Sequence, residues 1–172
     1  MKEILQLEAK YNDLTNKDMI NILKTLDSDL LTKDFGLYYK SIIGTLNHLL
    51  IGDIMWIKRF INFCPEISSI GESLPVLTIK DYKEIQWKTL AEFESDRYKT
   101  DNIIISVFDL ISEDKYHKSF TYKNFRGEDQ TKIAWKTFIH MFNHETHHRG
   151  QIAAVLDQLK VENDYSNLIW KF

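Results

Sequence analysis

The chain has 172 residues, of which 44% are hydrophobic and 13% aromatic, enough for a packed globular core. Its formal net charge is −3 and its basic residues are scattered, which argues against a nucleic-acid or anionic-membrane partner. The only cysteine, Cys64, excludes an intrachain disulfide framework and fits a cytoplasmic protein. We expect neither a signal peptide nor a membrane span, because no apolar run reaches the necessary length.

Helical periodicity predicts two long helices in the first third of the chain. Apolar residues such as Leu14 recur at helical spacing over residues 2–26. The polar stretch 27–36 has room for one extra turn. Residues 37–63 are apolar on most sides, which predicts the most buried helix, and Pro65 ends it.

A loop and a third helix follow. Residues 65–77 contain a glycine and two prolines, which favours a loop. Thr78 or Asp81 is a suitable N-cap for a third helix that runs to Ile111.

The pattern changes before the last long helix. Aromatic and polar residues alternate over 118–125, which predicts either a short hairpin or a loop. A fourth helix is expected over 129–160, and the apolar tail 163–172 is expected to dock on the helices. We therefore predict an all-α four-helix bundle that forms a single domain over residues 1–172.

The fourth helix carries the strongest functional signal, because residues 143–151 hold three of the six histidines. His144 and His148 are one turn apart on one helix face, at the edge of the core-facing stripe, whereas His147 points towards solvent. Two imidazoles at a core edge need partners for their ring nitrogens. A metal ion between helices would provide them.

A transition-metal site needs at least a third protein ligand, and His48 is the best candidate. Gly44 and Gly52 lie one turn before and after it, where they either open space beside the imidazole or allow close helix packing. His140, one turn before His144, is interpreted as a wall residue, and His117 as a surface residue.

Charged residues also fall inside the apolar stripe of the fourth helix. Glu145 and Arg149 are spaced to pair with each other, and Asp53 of the second helix is another partner for Arg149. These groups either orient the histidine ligands or form a structural ion pair.

Residues 144–148 also match H-E-x-x-H, the zinc peptidase motif in which Glu145 would be the general base. The helical wheel instead sends Glu145 into the core, and no acidic residue beyond Asp164 can serve as a distant third ligand. Gln151 and Ala154 occupy the positions where the extended metzincin motif has glycine and histidine. A peptidase is therefore disfavoured.

Two blocks resemble the signature of the DinB family of metal-binding four-helix bundles. They are Phe-Asn-His-Glu-Thr-His-His-Arg-Gly-Gln-Ile at 142–152, and Gly-Thr-Leu-Asn-His-Leu-Leu-Ile-Gly-Asp at 44–53, followed by Trp56. Tyr11 and Asn12 match less closely, and the segment 163–168 lacks the proline-rich run often found in the family.

The resemblance implies a divalent metal, Ni, Zn, Fe or Mn, held by His48, His144 and His148 with open positions for water or a ligand. It also implies a homodimer and a small-molecule partner. Relatives include thiol-dependent transferases and isomerases, so we expect a metal-dependent thiol S-transferase that uses a low-molecular-weight thiol on a small electrophile. The alternatives are a metal-dependent hydrolase and a non-enzymatic metal- or ligand-binding stress protein.

Overall fold

The computed structural model describes residues 1–81 and 83–172, a mainly helical chain with a two-stranded antiparallel sheet. In chain order the elements are helices α1 (Lys2–Leu23), α2 (Ser28–Thr32), α3 (Ile42–Phe63), α4 (Ser68–Gly71) and α5 (Leu90–Leu110), strands β1 (Ser119–Lys123) and β2 (Asp129–Ile133), and helix α6 (Ala134–Gln158). Short 3-10 turns lie at Pro65–Ile67, Glu113–Lys115 and Leu168–Trp170.

The four long helices surround the hydrophobic core. Helix α1 packs on α5 and α6, and α3 packs on the same two helices. As predicted, α3 is buried along most of its length. The expectation of a mainly helical chain is thus confirmed in its coarse form, and the sheet is the short hairpin that was one of the two alternatives before the last helix. Within the described residues no helix has both the length and the apolar character needed to cross a lipid bilayer.

The hairpin before the last helix is present, and it corrects the start of that helix. Residues 129–133, predicted as helix, form β2 and pair with β1 in the register Phe120 to Lys132. Phe120 packs against Phe63 with ring centroids 4.6 Å apart, so the hairpin is held on the core. Helix α6 therefore begins at Ala134, whose N–H still bonds to the hairpin at the carbonyl of Lys118.

The second long helix begins at Ile42 rather than at residue 37. Ser41 caps it, since its side chain accepts a hydrogen bond from the N–H of Gly44. The residues before Ser41 turn back on themselves in a bridge between Leu37 and Lys40, where Lys40 has a φ of 67°. This turn cannot continue a right-handed helix.

The third long helix begins at Leu90, and the prediction of a start at Thr78 or Asp81 is wrong. Thr89 and Glu92 form a capping box in which each side chain accepts a hydrogen bond from the other residue's backbone N–H. This stronger signal for a helix start is present in the sequence, eight residues after Asp81 and eleven residues after Thr78.

The chain before Thr89 is held in a non-helical conformation by one side chain of α3. Asn47 Oδ1 accepts hydrogen bonds from the backbone N–H groups of Gln86 and Trp87, and its Nδ2 donates to the carbonyl of Trp87. Tyr82, which the predicted helix included, lies outside the described residues. Asn47 thus ties this segment beside its neighbour His48.

The tail docks only in part. Tyr165 is buried and donates a hydrogen bond to the carbonyl of Arg149, 2.9 Å away. Ile169, Trp170 and Phe172 are 74%, 76% and 59% exposed, so the expectation that the apolar groups of the tail dock on the helices is wrong for these three.

Candidate metal centre

Helices α3 and α6 bring the three predicted histidines together. The Nε2 atoms of His48 and His144 are 2.8 Å apart, and the ring of His148 lies 4.7 Å from that of His48 and 4.5 Å from that of His144. One ligand nitrogen from each residue lies within 4.8 Å of the other two. The group could therefore hold a metal ion.

The residues fit a divalent transition metal. Imidazole nitrogens bind Zn²⁺ at about 2.0–2.1 Å, so two nitrogens on one ion are at most about 4.2 Å apart. The observed limit of 4.8 Å between one nitrogen of each residue and the other two is close to this value. Three neutral nitrogen donors suit zinc, iron and nickel.

Burial keeps these imidazoles in the neutral form that binds metals. Burial, with the charges of its two histidine neighbours, lowers the pKa of His48 to about 3. Burial also lowers the pKa of His144 to about 4 and lowers that of His148. At neutral pH no proton has to leave the site before a cation binds.

The two glycines of α3 have different roles. A Cβ atom on Gly52 would lie 3.3 Å from Cε1 of His144, so the missing side chain leaves room for this ring. A Cβ atom on Gly44 would lie 2.1 Å from the carbonyl oxygen of Tyr39, so Gly44 allows a close approach of the backbone. Gly52 thus opens space beside an imidazole, as one interpretation expected, although the ring is that of His144, whereas Gly44 makes room for the turn before its own helix rather than for a neighbouring helix.

Two residues that contact the histidines, Tyr39 and Gln151, were not predicted from the sequence to belong to the site. The ring of Tyr39 stacks on that of His48 at 4.0 Å, and its hydroxyl lies 3.1 Å from His48 Nε2. Gln151 Oε1 lies 2.7 Å from Nδ1 of His148. This bond places the proton of His148 on Nδ1 and leaves the Nε2 lone pair for a cation.

The other histidines lie outside the group. His140 is exposed and packs its ring 5.4 Å from that of Trp56 and 6.2 Å from that of His144, in agreement with a wall residue. His147 and His117 are both exposed, as predicted.

A buried ionic network lies beneath the histidines, centred on Arg97 of α5. Its guanidinium contacts Asp53 at 2.8 Å, Asp101 at 2.7 Å and Glu145 at 3.6 Å, and all four side chains are at most 1% exposed. Asp53 was expected to be another partner for Arg149, whereas in the structure it pairs with Arg97. Arg97 and Asp101 are four residues apart on α5 and pair with each other, and their remaining partners come from α1, α3 and α6.

Arg149 completes the network from α6. It contacts Glu145 at 3.2 Å, as predicted for this spacing, and donates hydrogen bonds to the side-chain oxygens of Asn12 and Asn16 of α1. Both asparagines also donate to Asp101. The inward face of α1 is therefore partly polar, while Leu14, whose spacing helped to predict this helix, is 37% exposed.

The network contains three carboxyl groups and two guanidinium groups, and a proton balances it. Burial and the nearby Glu145 raise the pKa of Asp53 well above its usual range. Burial acts to raise the pKa of Glu145 too, but Arg97 and Arg149 lower it. These opposite directions favour a proton on Asp53 rather than on Glu145, and with that proton the network carries two negative and two positive charges.

The environment of Glu145 decides against the peptidase interpretation. Its side chain is fully buried among guanidinium groups and faces away from solvent. A general base must reach a water molecule at the metal and accept its proton. Glu145 instead fixes the helix that carries His144 and His148.

Comparison with known proteins agrees with these features. A sequence model of the DinB family matches residues 1–170. The chain is also 26% identical over 151 residues to the Protein DinB of Bacillus subtilis (strain 168), across 87% of this chain and 82% of that protein.

Proposed function

Because the chain belongs to the DinB family, we propose that it is a divalent-metal enzyme that transfers a low-molecular-weight thiol to a small electrophile. His48, His144 and His148 are the metal ligands in this proposal. The observation that carries it is the approach of one nitrogen from each residue to within 4.8 Å of the other two.

The chemistry follows from a centre with few protein ligands. A divalent metal held by His48, His144 and His148 would supply open positions where a thiol gives up its proton to water more readily than in free solution. The sulfur would then form a bond to an electrophilic carbon of the substrate as the leaving group departs with its electron pair. Cys64 does not supply this sulfur, since burial raises the pKa of its thiol to about 12.

The chain's own residues orient the reactants. Gln151 holds His148 in one tautomer, and the stacked ring of Tyr39 fixes that of His48. The hydroxyl of Tyr39 lies beside the ligand nitrogens, where it can donate a hydrogen bond to a bound thiol or substrate.

The proposal also covers the wider organisation of the protein. In it the four long helices form the bundle of the family as one domain, and two copies pair in the cytoplasm. Neither nucleic acid nor membrane takes part.

Metal content tests the ligands directly. Purified wild-type protein should carry about one metal ion per chain by elemental analysis, and His48→Ala and His144→Ala should each lose it, because two imidazoles hold a cation weakly. His117→Ala is the matched control, since it removes an exposed histidine outside the group. Stoichiometric metal in His48→Ala would remove α3 from the site.

Activity tests the reaction class. The metal-loaded protein is incubated with several low-molecular-weight thiols and a small electrophile, and the conjugate is measured by mass spectrometry. We expect conjugation that requires both metal and thiol. Turnover of esters or amides without thiol would favour the hydrolase, and no turnover in any metal-loaded form would favour the binding protein.

A further inference from the structure

A pocket outside the group of three histidines lies between α3, the hairpin and the first half of α6. It has a volume of about 220 Å³. Its lining residues are aromatic or cationic for the most part: Trp56, Tyr122, Lys132, Lys136, Thr137 and His140. None of the described residues in this lining is acidic, although acidic residues outnumber basic ones in the whole chain.

The cations of this pocket are not neutralised by carboxylates. No ion pair among the described residues involves Lys132, Lys136 or the nearby Arg59. The Arg59 guanidinium lies over the rings of Trp56 and Tyr122, at 4.5 and 5.0 Å from their centroids. It also donates a hydrogen bond to the carbonyl of Lys123 at 3.1 Å, which fixes it at the pocket's edge.

The pocket is close to the candidate metal centre. His140 lines the pocket, and its ring centroid is 6.2 Å from that of the ligand His144. Lys136 lies two turns before His144 on α6, which places it about 12 Å away along the helix. A ligand that reaches from the histidines to Lys136 therefore has to span about 12 Å, the length of a small metabolite.

We propose that this pocket, the Trp56–His140 pocket, binds the carboxylate or phosphate end of the molecule whose other end reaches the three histidines. The inference rests on the proposed function, because it assigns the substrate class of that same site. Lys132 and Lys136 attract the negative charge, and the ring of Trp56 packs against the apolar part of the ligand.

The size of the pocket supports this division of roles. Pockets that hold a whole drug-sized ligand measure about 300–1,000 Å³, so the Trp56–His140 pocket holds one end of such a ligand. Anions should also bind to this pocket faster than neutral molecules, because cations that have no carboxylate partner attract them from solution. The protein should therefore select acidic ligands over neutral ones of the same shape.

The first experiment tests the pocket without any reaction. Inorganic phosphate is titrated into the ¹⁵N-labelled protein at constant ionic strength, and the indole N–H signal of Trp56, assigned with Trp56→Phe, is followed by NMR. We expect the signal to shift in a saturable way in the wild type. In the double variant Lys132→Gln/Lys136→Gln the apparent affinity for phosphate should be about fivefold weaker, because two exposed charges that face the anion are removed.

The control variant Lys10→Gln/Lys88→Gln removes the same charge from exposed sites outside the pocket and should bind phosphate like the wild type. His48→Ala should also retain phosphate binding, because it changes the metal centre and not the pocket. Equal affinities in the wild type and in the Lys132/Lys136 variant, or an unmoved Trp56 signal, would overturn the proposal.

The second experiment links the pocket to the metal centre. Calorimetry compares glutathione, a thiol with two carboxylates, with its dimethyl ester on the metal-loaded protein. We expect the wild type to prefer glutathione and the Lys132/Lys136 variant to lose this preference; a preference that persists in the variant contradicts the proposal. If phosphate binds as expected but no thiol binds to the metal-loaded protein, the proposed function is wrong, whereas the pocket is still an anion-binding site.

Discussion

At the scale of single residues, Gly52 controls the position of a candidate ligand. A methyl group at this position would lie 3.3 Å from Cε1 and 3.7 Å from Nδ1 of His144. The distance to Cε1 is shorter than an ordinary van der Waals contact. The imidazole would have to move by a few tenths of an ångström. Its nitrogen would move with it, away from the alignment with His48 and His148.

Gly52→Ala should therefore lower the affinity for metal by about tenfold, the range seen when groups that orient ligands are removed. Gly150→Ala is the matched control, because a Cβ atom at this helical glycine would meet no other atom within 4 Å. It should keep wild-type affinity and raise the free energy of unfolding by about 0.5–1 kcal/mol. Cobalt titrations and urea unfolding measure the two effects; equal metal affinity in both variants would contradict the role of Gly52.

The grouping of the site residues could be predicted where helical geometry determines it. The spacing of His144 and His148, and the isolated position of His48 in an apolar helix, were sufficient to predict that the three would meet. Tyr39 and Gln151 could not be assigned in this way, because their roles depend on a turn and on a rotamer. Two partners of Arg97, Asp53 and Glu145, also required the structure, since they come from α3 and α6.

At the scale of elements, helix boundaries depend on local hydrogen bonds that apolar periodicity does not report. The third long helix was predicted some ten residues too early, because Thr78 and Asp81 are also good capping residues. The capping box of Thr89 and Glu92, together with the bonds from Asn47, decides the true start. Similarly, residues 129–133 pair with β1 instead of extending α6.

The capping box at the start of α5 gives a prediction for stability. Thr89→Ala should lower the free energy of unfolding by about 1 kcal/mol, because the backbone N–H of Glu92 loses its partner. Glu92→Gln should be close to neutral, because an amide oxygen can still accept from the N–H of Thr89. Urea unfolding measures both; a Glu92→Gln loss as large as that of Thr89→Ala would mean that charge, rather than the cap, stabilises this end.

At the scale of the whole molecule, several buried acids hold their protons far above neutral pH. Burial raises the pKa of Cys64 and of Tyr116 to about 12 and raises that of Tyr165 as well. In the unfolded chain the thiol and the phenols ionise near pH 9 and 10. The unfolded state therefore releases protons first as the pH rises, and each of these groups contributes stability that is lost at alkaline pH.

The free energy of unfolding should accordingly fall between about pH 9 and pH 12. Tyr116→Phe tests the cause, because the hydroxyl of Tyr116 is buried and has no hydrogen-bond partner among the described residues. This variant should match or exceed the wild type near neutral pH and lose less stability on the alkaline side. Parallel pH profiles for Tyr116→Phe and the wild type would exclude Tyr116 as a contributor.

The ionic network of Arg97 and Arg149 has a consequence for how the protein acquires its cation. The side chains of this network come from all four long helices. Separating α3 from α6 would therefore leave buried charges without their partners. The distance between His48 and the two histidines of α6 is therefore fixed by guanidinium contacts and not by the ion. In the proposed function a metal would therefore enter and leave without refolding the chain, and the supply of each metal in the cell would decide which one is bound.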